Sequence, residues 1–140
     1  FVCDARAPFK SKETPSGNWF SQSLRLTDII TNQNRALRKR TLIDNYQKFD
    51  ANGNHTEYGG AYWGIKTEIA GYQLNDAMAK DNDRTASIQN IRTRLNRFTQ
   101  DEQGRLINWG YALTDAALRK WYFPTPQPVG KWPIPESALG

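Results

Sequence analysis

One cysteine, one histidine and one methionine are all that 140 residues offer of these reactive or soft side chains. A lone Cys3 excludes an internal disulfide and suits a reducing compartment. His55 stands without a Ser, Cys or carboxylate motif beside it, which makes it a loop residue rather than a catalyst. No run approaches eighteen apolar residues, so nothing is long enough to span a membrane as a helix. The sequence also has no Gly-x-Ser-x-Gly elbow, no phosphate-binding loop, no dinucleotide fingerprint and no zinc spacing. The one stretch that approaches a calcium loop is Asp50–His55, DANGNH. It has His55 at the sixth position, where the sharp turn needs Gly, and Ala61 at the twelfth, where the ion needs Glu. These absences leave the chain itself with no catalytic constellation, no cofactor and no metal site.

What is present is a globular composition. Apolar residues make up 38% and charged residues 24% of the chain, which suits one domain or part of one. Five Trp, six Tyr and six Phe promise an aromatic core or a lipid-facing pocket. The net charge of +5 is scattered except at Arg35, Arg38, Lys39 and Arg40. A solvated helix face is the ordinary explanation of such a cluster. Arg35, Arg38 and Lys39 are also the candidate residues for peripheral membrane contact. No nucleic-acid motif accompanies them. The expected location is cytoplasmic or peripheral to a membrane.

The chain is organised around Leu106–Trp121. At 100° per residue, Leu106, Trp109, Gly110, Leu113, Ala116, Ala117 and Trp121 share one arc. Asp115 and Arg119 fall opposite, as an exposed ion pair would. Gly110 lies inside the arc, where a missing Cβ would admit another backbone. Thr99-Gln100-Asp101-Glu102 is a capping-box pattern that starts this helix, which should end near Phe123.

Upstream, Phe1–Cys3 reads as a buried parallel strand because it lacks alternation. An apolar strand at the very start, with no initiator Met, reads as a piece of a larger protein. Asp4–Phe9 leaves the strand as a loop, and 10–18 is an exposed connection. A long helix is expected over 21–49, with Leu26, Ile29, Ile30, Ala36 and Leu37 facing a core. Arg35, Arg38 and Lys39 lie opposite them. Gln33 and Arg40 fall inside the apolar arc, and Asp44 is the partner in reach of Arg40. The alternation Ala61, Trp63, Ile65, Thr67, Ile69 predicts a half-buried strand within Tyr58–Tyr72, with a bulge or close approach at Gly64. The stretch 74–84 reads as loop. Ile88, Ile91, Leu95 and Phe98 give the stripe of a shorter helix. The five prolines of Pro124–Pro135 make an extended strap or a disordered end.

Four stretches, in order, resemble the C-terminal part of bacterial patatin-like phospholipases. They are Phe1–Phe9 (FVCDARAPF), Leu24–Asp44 (LRLTDIITNQNRALRKRTLID), Gly59–Tyr72 (GGAYWGIKTEIAGY) and Leu106–Lys120 (LINWGYALTDAALRK). Thr93-Arg94-Leu95 also fits, Arg6 stands where a small residue is more usual, and the tail after Trp121 is not covered. The resemblance implies an α/β fold in which 1–123 is the C-terminal segment and 124–140 a Pro-rich tail. The segment would be mostly helical, with two strands completing a sheet built by an N-terminal catalytic part, its expected partner. It implies hydrolysis of a lipid or other acyl ester, of phospholipase A type, by a Ser–Asp dyad upstream of Phe1. No catalytic residue carries over: Gly59-Gly60 follows Tyr58, not the Asp of the dyad motif. The competing readings are a stand-alone basic helical binding module and a non-catalytic patatin-like scaffold.

Overall fold

A computed structural model describes residues 1–4, 14, 17–56, 58–92 and 96–140. Of the expected Asp4–Phe9 loop, Asp4 instead belongs to the first strand and the rest, with most of the 10–18 connection and Thr93-Arg94-Leu95, lies outside the described residues. The chain divides into two compact units, one formed by Phe1–Arg6 with Gly60–Gly140 and the other by Ala7–Gly59.

The second unit is built on helix α1, Trp19–Tyr46. Asn18 starts it by accepting a hydrogen bond from the Phe20 amide at 2.9 Å. The helix is continuous through Thr41. Its expected inner face is corrected: none of its residues is buried, and Leu26, Ile30 and Leu37 are each at least half exposed. Gln33 and Arg40 are exposed too, so neither is a polar group trapped in a core. After α1 the chain reverses at Asp50, whose Oδ1 accepts the amides of Asn52 and Asn54, both at 2.8 Å. The Asn54 amide is the main reason the Asp50 carboxyl sits below its ordinary range. The side chain that leads the calcium-like pattern is thus engaged in closing a turn. His55 stacks on Phe49 with ring centroids 4.6 Å apart and packs against Gly59.

The first unit is mixed, mostly helical with a two-stranded parallel sheet. β1 (Val2–Asp4) pairs with β2 (Tyr62–Gly64), Val2 opposite Tyr62 and Asp4 opposite Gly64. The parallel direction matches expectation. The burial does not, for Phe1, Val2 and Cys3 are exposed. β2 is also far shorter than the alternation over Tyr58–Tyr72 implied. Thr67 ends it: its hydroxyl accepts the Gly64 amide at 2.9 Å, and its own amide donates to Gly64 O at 2.8 Å. The chain then enters a 3₁₀ turn at Ile69–Tyr72, whose first amides, Ile69 and Ala70, donate to the Asp81 carboxylate. Gly64 is a point of close approach, because a Cβ there would lie 2.9 Å from Asp4 O.

Helix α2 spans Asp83–Gln89, earlier and shorter than the Ile88–Phe98 stripe suggested. Asn82 explains the start, since its side chain accepts the Arg84 and Thr85 amides while Thr85 Oγ1 accepts the Asn82 amide. Asn90 stops it, turning its side-chain Nδ2 back to donate to Ala86 O at 2.9 Å. Ile91 lies beyond the helix, and the 74–84 segment contains buried Ala79 as well as the start of α2.

Helix α3, Gln100–Trp121, packs against β2, α2, the 3₁₀ turn at Ile69–Tyr72 and a second 3₁₀ turn at Pro135–Ser137. Its capping box is complete: Thr99 Oγ1 accepts the Glu102 amide and Glu102 accepts the Thr99 amide. Glu102 also takes both terminal nitrogens of Arg92. That guanidinium, followed by the Thr99 amide, lowers the Glu102 carboxyl to about 2. A carboxyl depressed in the folded state stabilises it above the unfolded value and loses that contribution as pH falls through the folded one. Stability should therefore drop between about 4.5 and about 2. Glu102→Gln should flatten the acid limb of a stability–pH curve from denaturant titrations. An unchanged acid limb in that variant would contradict this role.

Candidate functional site

The buried stripe of α3 is Gly104, Asn108, Trp109, Ala112, Leu113, Ala116 and Ala117. Trp109 anchors it, donating from Nε1 to Ile65 O at 2.8 Å. Relative to the sequence reading, the stripe is turned toward Asn108 and Ala112. Leu106 is only half-buried, Trp121 is 55% exposed, and no atom outside Gly110's immediate surroundings lies within 4 Å of where its Cβ would stand. The close approach occurs at Gly104 instead, where a Cβ would meet Ser137 Cβ at 2.9 Å.

The cause of the turn is the tail, which is an ordered strap running antiparallel to α3. Asn108 Nδ2 donates to Ile134 O at 2.7 Å and its Oδ1 accepts the Ile134 amide at 3.1 Å. Asp115 Oδ1 accepts the Gly130 amide at 3.2 Å. Arg119 Nε donates to Gln127 O at 3.0 Å. Beyond them Ser137 sits on Gly104, and Leu139 is fully buried. Five prolines favour this extended path and remove donors it could not satisfy.

The strap covers Asp115 and Arg119. Their ion pair exists, Nη1 to Oδ2 at 3.3 Å, but their side chains are only 12% and 7% exposed rather than solvated. Asp76 completes the group, paired with Arg119 Nη2. Besides each other, Asp115 and Arg119 engage the Asp76 carboxylate and backbone groups of Asp76, Gln127 and Gly130, so this cluster clamps strap to helix rather than holding a group poised for chemistry.

Other polar groups are likewise committed. Tyr62, the first residue of β2, donates its hydroxyl to Oδ2 of Asp4, the last residue of β1, at 2.7 Å. An open depression of about 400 Å³ is lined by Ile69, Leu74, Ala77, Lys80 and Asp81 among others, and Asp81 is the residue that caps the 3₁₀ turn. Among the described residues no three His, Cys, Asp or Glu side chains come together. The Tyr72 hydroxyl is buried without a hydrogen-bond partner among the described residues, and burial pushes it up to about 12. Tyr72→Phe removes a polar group that gains nothing from burial, so it should leave stability unchanged or raise it by about 1 kcal/mol. It should also remove a loss of stability expected between about 10 and about 12, since a raised tyrosine stabilises below its unfolded value. A clear destabilisation by Tyr72→Phe in denaturant titrations would contradict the unsatisfied hydroxyl.

Of the candidate membrane residues, Arg38 and Lys39 are exposed and Arg35 is half-buried on α1. A different surface emerges at the end of α3. Tyr122 lies edge-on to Phe1 at 4.8 Å and to Phe123 at 5.2 Å, and Lys120 Nζ sits 5.7 Å from the Trp121 ring. No family model, characterised protein or solved structure matches the chain. Among the described residues, no helix is long and apolar enough to cross a membrane.

Proposed function

We propose that this chain is the structural C-terminal portion of a patatin-like lipid acyl hydrolase, whose Ser–Asp dyad lies upstream of Phe1 in the gene product. The observation that supports the reading best is the pairing of β1 with β2. These strands come from two of the four stretches that resemble the family, they are some sixty positions apart, and they run parallel as an α/β sheet requires. A parallel pair of three residues each buries too little to stand alone. An N-terminal part would extend the sheet beside the exposed β1. In this reading the chain does no chemistry itself. It contributes strands, seats α3 beneath them, and clamps its end with the strap.

The substrate class is a lipid or other acyl ester, the reaction is nucleophilic acyl transfer to water, and no cofactor is required. The test is hydrolysis of a soluble short-chain ester and of phospholipid by the full-length gene product. Hydrolysis of both supports the reading. Absence of either activity from a folded full-length protein favours a non-catalytic scaffold and overturns it.

A further inference from the structure

We propose that the aromatic end of α3, Trp121-Tyr122-Phe123 with Lys120, docks on an anionic lipid bilayer. Trp121 and Tyr122 are more than half exposed and Phe123 is 39% exposed. Aromatic side chains of this size are ordinarily withdrawn from water, and contiguous apolar surface left out marks an interaction site. Phe1, Tyr122 and Phe123 form a connected group of rings through the Phe1–Tyr122 and Tyr122–Phe123 contacts, and Trp121 adjoins it in sequence. The group is also held in place: Trp121 is the last residue of α3, Tyr122 its C-cap, and the following strap is pinned by Arg119 to Gln127.

Charge selects the occupant. The twenty residues from Ala116 to Pro135 contain no carboxylate, but three cations, Arg119, Lys120 and Lys131. Arg119 is committed to Asp76 and Asp115, whereas Lys120 lies directly at the Trp121 ring. Trp and Tyr carry an apolar body with one polar atom, the combination that settles at the headgroup boundary, and a neighbouring lysine adds attraction to anionic lipid. With Asp76 and Asp115 paired to Arg119, Lys120 is the charge beside the aromatic rings, and this end of α3 therefore complements an anionic membrane surface. This deepens the acyl-hydrolase reading, on which the choice of a lipid partner partly rests.

The experiment uses the full-length gene product and vesicles of phosphatidylcholine alone or equimolar with phosphatidylglycerol, at low and at high salt. Wild type should co-sediment with the anionic vesicles. Trp121→Ser with Tyr122→Ser should bind at least about tenfold more weakly, because both residues lose their apolar contact. Lys120→Gln should bind anionic vesicles about fivefold more weakly at low salt and equally well at high salt. Ile107→Ser, which removes another half-exposed apolar side chain of α3, should bind like wild type. Equal binding by the Trp121/Tyr122 variant, or an equal loss in Ile107→Ser, overturns the proposal. A wild-type dimer that becomes monomeric in the double variant, without vesicle binding, also overturns it and makes the patch an interface between copies. Hydrolysis of a soluble ester is measured on the same samples. Patch-dependent vesicle binding without ester hydrolysis keeps the docking surface and removes the hydrolase. Hydrolysis with patch-independent binding does the reverse.

Discussion

Trp109→Ala should destabilise the folded protein by about 3–5 kcal/mol. Trp109 is 1% exposed at the centre of the stripe that α3 buries, and truncation would empty the largest fully buried side chain. It would also orphan Ile65 O, which now accepts the indole N–H as the chain leaves β2. The two losses are separable. Trp109→Phe keeps most of the volume and gives up the hydrogen bond, so it should cost clearly less than the alanine variant. Leu113→Ala, on the same stripe and equally buried, should cost about 2–5 kcal/mol. Leu37→Ala on α1 should stay within about 0.5 kcal/mol, because Leu37 is 59% exposed. Denaturant midpoints of the full-length gene product measure all four. A cost for Leu37→Ala as large as that for Leu113→Ala would place α1's apolar face in a core and contradict this ranking.

The second large effect is expected in the strap. Leu139→Ala should cost about 2–5 kcal/mol, since Leu139 is fully buried although it is one residue from the end of the chain. Ending the chain at Phe123 should do more. It uncovers Asn108, leaves the Asp115–Arg119 pair without its Gly130 and Gln127 partners, and opens the Gly104 contact with Ser137. Amide exchange in α3 should then rise along the Gly104–Asn108–Asp115 side more than along the Trp109–Leu113 side. A truncated chain with wild-type midpoint and wild-type exchange would show the strap to be passive.

The strap also explains what could and could not be read from the residues alone. Helix α3 was legible because its signals are local: a capping box at Thr99–Glu102 and a strong apolar period. Its bounds follow within about two residues. Which side it buries was only half legible. Trp109, Leu113, Ala116 and Ala117 announce themselves as apolar, but polar Asn108 is buried, and polar Asp115 and Arg119 are half-buried, because a Pro-rich segment supplied matching backbone groups. Nothing in a period of 3.6 distinguishes a polar residue that will be satisfied by a strap from one left in water. Gly104, four residues before Asn108 and eleven before Asp115, was the one available sign of a close approach on that side.

The strands show the same division. That Phe1–Cys3 is a parallel strand was legible from its lack of alternation, and a strand around Trp63 from its period of two; that the two pair with each other was not, because neither signal names a partner. The length of β2 was not, because the turn made by Gly64 and Thr67 competes with the alternation that runs on to Ile69. On α1 the period was read correctly as amphipathic, yet the apolar face is exposed, because amphipathicity states what a helix can bury and not what is there to cover it. The α3-end surface has no periodic signature of its own, because Trp121 falls on the same helical arc as Leu113 and Ala117.

The most direct test of the central claim is to treat the full-length gene product with a serine-directed fluorophosphonate and locate the adduct by peptide mass spectrometry. A patatin-like hydrolase should carry one adduct, on the serine of a Gly-x-Ser-x-Gly segment upstream of Phe1, with ester hydrolysis falling in proportion to labelling. A folded full-length protein that takes no label and hydrolyses no ester would contradict the account.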